Sequence, residues 1–155
     1  MKGSHRIIVE TKRIKYDFTI KRNVTIITGD SATGKTTLIE MIQEFYENGE
    51  QSGIILQCDK SCVVLEGRQL DPCLGNVHDS IVFIDGGNSF ITSPEFADWV
   101  KESDNYFVIA TREELSLIPN DLKEIDGLRR AGKSDDTNQK CNELYRICEG
   151  LSLQW

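Results

Sequence analysis

Alternating apolar and polar positions near the N-terminus predict a β-hairpin. Between residues 14 and 20, the apolar side chains Ile14, Tyr16, Phe18 and Ile20 are separated by Lys, Asp and Thr. This period of two is typical of a half-buried strand. Residues 6–10 form a second, shorter apolar segment. We expect the two segments to pair antiparallel, with a charged face towards solvent.

Continuous apolar runs predict buried strands further along the chain. Residues 24–28, 81–85 and 106–110 are rich in Val, Ile and Phe and show little alternation. Such runs are expected of strands that are covered on both faces. Residues 54–58 and 62–65 predict two more strands, one on each side of a short turn.

Two segments carry helical signals. Apolar residues at helical spacing between 38 and 45 predict a helix that ends near Gly49. Ser93-Pro94 is the favoured order of cap and first-turn proline, and it predicts a second helix. The polar stretch 127–140 predicts a flexible loop, and residues 143–148 predict a closing strand.

Composition indicates one compact domain over residues 1–155. The chain is 39% hydrophobic and 28% charged, which is ordinary for a globular protein. No apolar run approaches the span of a bilayer and no secretory segment is evident, so we expect a cytoplasmic protein without a membrane partner. The five cysteines are odd in number and irregularly spaced, which favours reduced structural thiols over a metal site.

The charge of the chain is unevenly distributed. Its net charge is −7, yet residues 1–22 hold seven Lys and Arg against two acids, a local charge of +5. The remainder is therefore −12. A basic ribbon can contact nucleic acid or an acidic partner. A solvated sheet face is the favoured interpretation here, and the net negative charge argues against general nucleic-acid binding.

A glycine-rich loop between the strand at 24–28 and the first helix fits the pattern G-x-x-x-x-G-K-[ST]. Backbone N–H groups of such a loop point at one spot and cradle a polyphosphate. Lys35 is expected to reach the β- and γ-phosphates, and the Thr36 hydroxyl to hold Mg²⁺. We therefore expect a nucleoside triphosphate site, formed by Gly29, Asp30, Ser31, Ala32, Thr33, Gly34, Lys35, Thr36 and Thr37.

Polar residues also end the next two apolar strands. Asp85 follows the run at 81–84, where its carboxylate can bind Mg²⁺ directly or through water. Thr111 and Arg112 follow the run at 106–110 and should open onto the same edge. They are candidates to position water and to neutralise transition-state charge. The alternatives are a cap for Thr111 and a surface ion pair for Arg112.

These three motifs resemble the Walker A, Walker B and sensor elements of the P-loop nucleoside triphosphatases. With an antiparallel hairpin leading into the loop, the chain is most similar to small ABC-type and AAA-like bacterial ATP-binding proteins. The resemblance implies a three-layer α/β sandwich with a mainly parallel sheet plus the N-terminal hairpin. It implies that Lys35, Thr36 and Thr37 bind phosphate and Mg²⁺, with Asp85 as the Walker B acid. We expect the strand at 24–28 to lie beside 81–85 or 106–110.

The chain departs from this family in ways that affect its activity. Gly86, Gly87 and Asn88 stand where a catalytic Glu usually follows the Walker B acid, and no Leu-Ser-Gly-Gly-Gln signature is present. We therefore expect Mg-ATP binding with hydrolysis that is slow or completed by a protein partner. A nucleotide sensor that recruits a partner and a small-molecule phosphotransferase are the alternatives. The absence of an Asn-Lys-x-Asp motif favours ATP over GTP.

Overall fold

A computed structural model describes residues 3–28, 34–65, 77–86, 89–133 and 139–149 of the chain. They form nine strands, two α-helices and short 3-10 turns. In chain order the strands and helices are β1 (His5–Glu10), β2 (Ile14–Ile20), β3 (Val24–Thr28), α1 (Lys35–Asn48), β4 (Ile55–Gln57), β5 (Ser61–Leu65), β6 (Ser80–Asp85), α2 (Pro94–Glu102), β7 (Tyr106–Ala110), β8 (Lys123–Lys133) and β9 (Lys140–Glu149).

All nine strands belong to one mixed sheet. Their order is β4-β1-β2-β9-β8-β3-β7-β6-β5. The predicted hairpin is confirmed, since β1 and β2 pair antiparallel over their whole length. The strand that leads into the glycine loop, β3, pairs in parallel with β7, which is one of the two neighbours expected for it.

The sheet curls because a short connection joins its two edges. β4 and β5 are the predicted strands around the turn, but they do not pair, and they lie at opposite ends of the strand order. Only residues 58–60 separate them in the chain. The ring of His5 on β1 also meets that of Tyr106 on β7, with centroids 4.6 Å apart, although four strands lie between them in the sheet. The result is a half-barrel.

The two helices pack on opposite faces of the curled sheet. Leu38, Met41 and Ile42 of α1 share a buried cluster with the inward side chains of β1, β2, β6 and β7. Phe96 and Val100 of α2 share a second cluster with the other face of β3, β6 and β7. Buried apolar side chains on both faces explain why these central strands show continuous hydrophobic runs.

The predicted start of α2 and the predicted end of α1 are confirmed. The Ser93 hydroxyl accepts a hydrogen bond from the Phe96 amide at 3.2 Å, with Pro94 at the first helical position. Gly49 terminates α1 with a positive φ of 59°. No helix in the described part of the chain is long and apolar enough to cross a membrane.

The expected three-layer sandwich with a mainly parallel sheet is wrong. The sheet is mixed and curled, and its longest pairing, β8 with β9, is antiparallel, as are β1 with β2 and β1 with β4. The described residues include only two α-helices. The physical reason is that the chain after β7 forms the long antiparallel pair β8–β9, where a helix-rich sandwich would place crossover helices.

The predicted loop at 127–140 is also wrong in its first half. Residues 127–133 belong to β8, and residues 134–138 lie outside the described range. The predicted closing strand at 143–148 is confirmed as part of β9. Cross-strand contacts hold the polar segment extended: Arg129 donates to Glu143 at 2.7 Å, and its guanidinium lies 4.8 Å from the centre of the Tyr145 ring.

Candidate functional site

Gly34 closes the glycine loop under a constraint that only glycine satisfies. Its φ is +95°, in the left-handed region. A Cβ at this position would lie 3.0 Å from the Tyr16 hydroxyl. That hydroxyl donates to the Gly34 carbonyl at 3.0 Å, and burial raises the pKa of Tyr16 to about 12, so the donor stays protonated. β2 thus holds the loop where α1 begins, a contact that the alternating pattern of β2 did not reveal.

The first residues of α1 place the other predicted phosphate ligands. Lys35 is the first residue of the helix and is only 8% exposed, whereas Thr36 and Thr37 are exposed. Backbone N–H groups at a helix N-terminus carry partial positive charge and favour an anion. The remaining predicted loop ligands, Gly29, Asp30, Ser31, Ala32 and Thr33, lie outside the described residues.

Three parallel strands end side by side next to the start of α1. β3, β7 and β6 are consecutive in the sheet. Asp85, at the end of β6, pairs with Ala110, and Ala110 pairs in turn with Ile27 of β3. The Thr111 amide donates to the Ile27 carbonyl at 3.1 Å and fixes the chain just beyond β7. Ligands in open α/β sheets bind outside such carboxyl ends.

Gly86 lets β6 and β7 approach closely at this edge. A Cβ on Gly86 would lie 2.3 Å from the Ala110 carbonyl oxygen and 2.7 Å from the Thr111 Cβ. Both distances are far below ordinary contact, so a larger residue would push the strand ends apart. In the sequence, Gly86 is notable only because a catalytic glutamate usually stands at this position. The structure adds a steric role for this glycine.

A cavity of about 290 Å³ opens at these strand ends. It brings together five of the predicted residues, which are spread over more than seventy positions of sequence. Thr37 is absent from its lining. The cavity is lined by Lys35, Thr36, Asp85, Gly86, Ala110, Thr111, Arg112 and Glu113.

The cavity presents both charge types needed around a metal–phosphate group. Lys35 and Arg112 are cations, and cations are suited to phosphate oxygens. The Thr36 hydroxyl and the Asp85 carboxylate are oxygen ligands of the kind that Mg²⁺ prefers. Within the described part of the chain, no group of three or more His, Cys, Asp and Glu is arranged to hold a metal ion. A metal here would therefore draw on hydroxyl, phosphate and water ligands besides Asp85.

Thr111, Arg112 and Glu113 form the turn beyond β7. The Thr111 side chain is buried, and its Oγ1 accepts the Glu113 amide at 2.9 Å. This contact shapes a turn and not the helix cap that was the alternative expectation, because no helix begins in the described residues directly after β7. The hydroxyl proton remains available as a donor. Arg112 and Glu113 are exposed on the rim of the cavity. Glu113 was not predicted, because a catalytic carboxylate is expected directly after Asp85, whereas Glu113 reaches the cavity from the turn beyond β7.

Two further basic residues, Arg129 and Arg6, lie away from this cavity. Arg129 lies on β8 and is held by Glu143 and Tyr145. Among the basic residues near the N-terminus, Arg6 donates two hydrogen bonds to Asp17 on the outer face of the hairpin, at 2.9 and 2.6 Å. These bonds lower the pKa of the Asp17 carboxyl. An internally paired, solvated sheet face agrees with the interpretation favoured for the hairpin.

A second depression, the strand cleft, lies between β2 and β9 and has a volume of about 490 Å³. It forms because β2 pairs with β9 only over residues 14–16, beyond which the two strands separate. Its lining comes from three strands: Asp17, Phe18, Thr19, Lys21, Glu124, Asp126, Glu143, Leu144 and Arg146.

Asp126 is the unusual group in the strand cleft. It is 3% exposed, and its Oδ1 has no hydrogen-bond partner. Burial, together with the neighbouring Glu124, raises the pKa of Asp126 to about 8. Asp126 pairs with Ile27 on β3. This buried acid therefore lies on the strand next to the one that leads into the glycine loop. No sequence signal marked this residue.

Comparison with known proteins adds no family assignment. No family model matches the chain, and no curated protein sequence matches it. The relationship to P-loop nucleoside triphosphatases therefore remains a resemblance carried by the sequence motifs.

Proposed function

We propose that this protein binds Mg-ATP in the cavity at the ends of β3, β7 and β6. The observation that carries the proposal is the convergence of Lys35, Thr36, Asp85, Thr111 and Arg112 on one cavity. In this arrangement Lys35 contacts the phosphates, while Thr36 and Asp85 hold Mg²⁺. The missing guanine-reading motif supports ATP as the nucleotide.

We further propose that the isolated chain hydrolyses ATP slowly and that a protein partner completes the site. Glu113 supplies a carboxylate on the cavity rim, but its side chain is exposed to water. An exposed carboxylate is screened and is not held against an attacking water, so it activates that water weakly. A partner that covers the rim would fix Glu113 and Arg112 and raise the rate.

We also propose a cytoplasmic location. Cys58, Cys62 and Cys141 are free thiols. Free thiols are typical of a reducing compartment, where ATP-dependent proteins are at work. Labelling of cellular fractions with an antibody would test this point, and enrichment in a secreted fraction would contradict it.

Calorimetric titration with Mg-ATP tests the binding proposal. Lys35→Ala should weaken affinity at least about tenfold, because a charge-assisted contact of about 1.5–3 kcal/mol is lost. Lys101→Ala is the matched control, since Lys101 lies on α2 and pairs with Asp98. The control should bind like the wild type. Equal affinity of wild type and Lys35→Ala would reject the site.

Phosphate release by the same proteins tests hydrolysis. Wild-type turnover should stay below about 1 s⁻¹, against typical enzyme values of about 1–10³ s⁻¹. Glu113→Gln should lower the remaining rate with ATP affinity unchanged, whereas the neighbouring Glu114→Gln should not. Binding without any measurable release would favour a nucleotide sensor. ATP consumption only after addition of a hydroxylated acceptor would favour a phosphotransferase.

A further inference from the structure

The connection between the two edges of the sheet carries two cysteines. Cys58 directly follows β4, and Cys62 is the second residue of β5. Both are free thiols. Because β4 and β5 lie at opposite ends of the strand order, these two thiols meet at the point where the curled sheet brings its edges together.

The two thiols line the same depression, and their environments differ. Cys58 is half-buried, whereas Cys62 is 8% exposed. Interaction with the neighbouring Cys62 lowers the pKa of Cys58 to about 7. The same interaction, together with burial, raises the pKa of Cys62. One sulfur is therefore the nucleophile of the pair, and the other is its proton-bearing neighbour.

The groups around Cys58 act in both directions. The backbone of Lys60 and the nearby His5 favour the Cys58 thiolate, and the Asp59 carboxylate opposes it. His5 Nδ1 lies 3.0 Å from both carboxylate oxygens of Asp59, and this hydrogen bond lowers the pKa of Asp59. The Cys62 sulfur also lies 3.8 Å from the Lys60 carbonyl oxygen.

A solvent-filled depression gives small molecules access to both sulfurs. Its volume is about 430 Å³, and Cys58 and Cys62 both line it. The rest of its wall combines apolar side chains, among them Phe45 and Tyr46 from the end of α1 and Leu56 from β4, with the polar residues Lys60 and Ser61. The depression is open, so a small oxidant can enter.

We propose that Cys58 and Cys62 form an oxidation site that reacts with hydroperoxides and closes to a disulfide. The Cys58 thiolate attacks the peroxide oxygen, the O–O bond breaks, and Cys58 becomes a sulfenic acid while hydroxide or alkoxide leaves. The Cys62 thiol then attacks the Cys58 sulfur, and the disulfide forms with release of water. The two thiols lose two electrons, which reduce the peroxide. A thiol reductant restores the pair.

This site is separate from the nucleotide cavity. Cys62 pairs with Ile81 near the start of β6, whereas Asp85 ends the same strand. The four residue steps from Ile81 to Asp85 span about 13 Å at roughly 3.3 Å per residue. The oxidation site therefore does not depend on nucleotide binding, and its test uses no nucleotide.

Peptide mapping after mild oxidation tests the proposal on the full chain. The protein is treated with equimolar hydrogen peroxide at pH 7, remaining thiols are alkylated, and disulfides and sulfenic acids (trapped with dimedone) are located by mass spectrometry. In the wild type, a Cys58–Cys62 disulfide should form first. Cys62→Ser should stop at a dimedone adduct on Cys58, and Cys58→Ser should give neither product. Cys141→Ser is the matched control and should oxidise like the wild type.

The rate supplies a second readout. At pH 7 a thiol with a pKa near 7 is about half thiolate, against a few per cent for an ordinary thiol. Its lower intrinsic nucleophilicity removes part of this advantage, which leaves about a threefold faster reaction. A first disulfide that involves another cysteine, a Cys58 that reacts no faster than Cys141, or a Cys62→Ser protein without the Cys58 adduct would overturn the proposal. Thermal melting of each variant verifies that it is folded.

Discussion

The cavity at the strand ends and the strand cleft are both polar depressions beside β3 or β8, but their polar groups are arranged differently. The cavity is lined by side chains from the start of one helix and the ends of two strands, and these three segments are far apart in the sequence. Around the strand cleft, three ion pairs join adjacent strands: Arg6 with Asp17, Arg129 with Glu143, and Arg146 with Glu124. The buried Asp126 Oδ1 is the exception, since it has no hydrogen-bond partner.

The two depressions therefore arise in different ways. The strand cleft, the larger of the two, follows from two strands that separate, and ion pairs around it join neighbouring strands. The smaller cavity depends on a close approach of backbone at Gly86. Three substitutions, each with a control, test this contrast.

The largest effect is expected from Gly86→Ala. The new Cβ would lie 2.3 Å from a backbone oxygen that cannot move without separating β6 from β7. Overpacking of this kind costs about 3 kcal/mol, which lowers the melting temperature of a domain this size by about 6–12 °C. The measurement is thermal unfolding followed by circular dichroism.

Gly127→Ala is the control from the side of the strand cleft. Its Cβ would lie 2.5 Å from the Tyr145 ring, but that ring is a partly exposed side chain that can turn away. We therefore expect a smaller loss of stability than at Gly86. An equal or larger loss at Gly127 would mean that the strand ends at the cavity are less rigid than their geometry indicates.

Asp85→Asn should affect Mg²⁺ more than stability. The melting temperature without ligand should stay within a few degrees of the wild type, because Asp85 ends its strand and is partly exposed. Stabilisation by Mg-ATP, about 2.7 kcal/mol for a ligand at 100 times its dissociation constant, should be largely lost. Thermal shift with ATP, with and without Mg²⁺, measures the difference.

The control for this prediction is Asp98→Asn, since Asp98 is an exposed acid on α2. It should keep the full Mg²⁺-dependent shift. If Asp85→Asn also keeps that shift, the metal is held by another acid, and Glu113 is the first one to examine.

A dependence of stability on pH is also expected to arise at Asp126. Its folded pKa of about 8 lies above an unfolded value of about 4. Stability is therefore greatest below pH 4 as far as this group is concerned, and it is lost as pH rises towards 8. Asp126→Asn should melt a few degrees higher than the wild type at pH 8, with the advantage shrinking towards pH 5.

Asp17→Asn, in the same strand cleft, should change the pH dependence of stability in the opposite direction. The pKa of Asp17 is lowered by Arg6, so its contribution to stability is present at neutral pH and is lost on acidification. Its removal should lower the melting temperature slightly at pH 8. Parallel pH profiles for wild type and Asp126→Asn would show that Asp126 is not the source of the dependence.

Local signals in the sequence predicted the part of the fold that lies around the cavity. The apolar runs of β3, β6 and β7 and the caps of both helices are properties of short segments. Asp85 and Thr111 could be assigned to one edge because both follow such runs. Whether these residues bind Mg-ATP is still a prediction.

The antiparallel part of the sheet could not be predicted in the same way. β8 contains Arg129 and Gly132, which read as loop residues, and it is extended because β9 supplies partners such as Glu143. β4 pairs with β1 across more than forty residues of sequence, so neither segment alone predicts the pairing. Glu113 and Asp126 stand out only once the residues around them in the folded chain are known.

The short connection between β4 and β5 also affects how the protein avoids self-association. Edge strands present unpaired backbone groups that can template addition of a foreign strand. Among the described strands, the two edges are three and five residues long, and residues 58–60 hold one end of each beside the other. An incoming chain therefore finds two short edges that converge instead of two long ones on opposite sides. The curl that encloses α1 thereby also limits where an aggregate could begin.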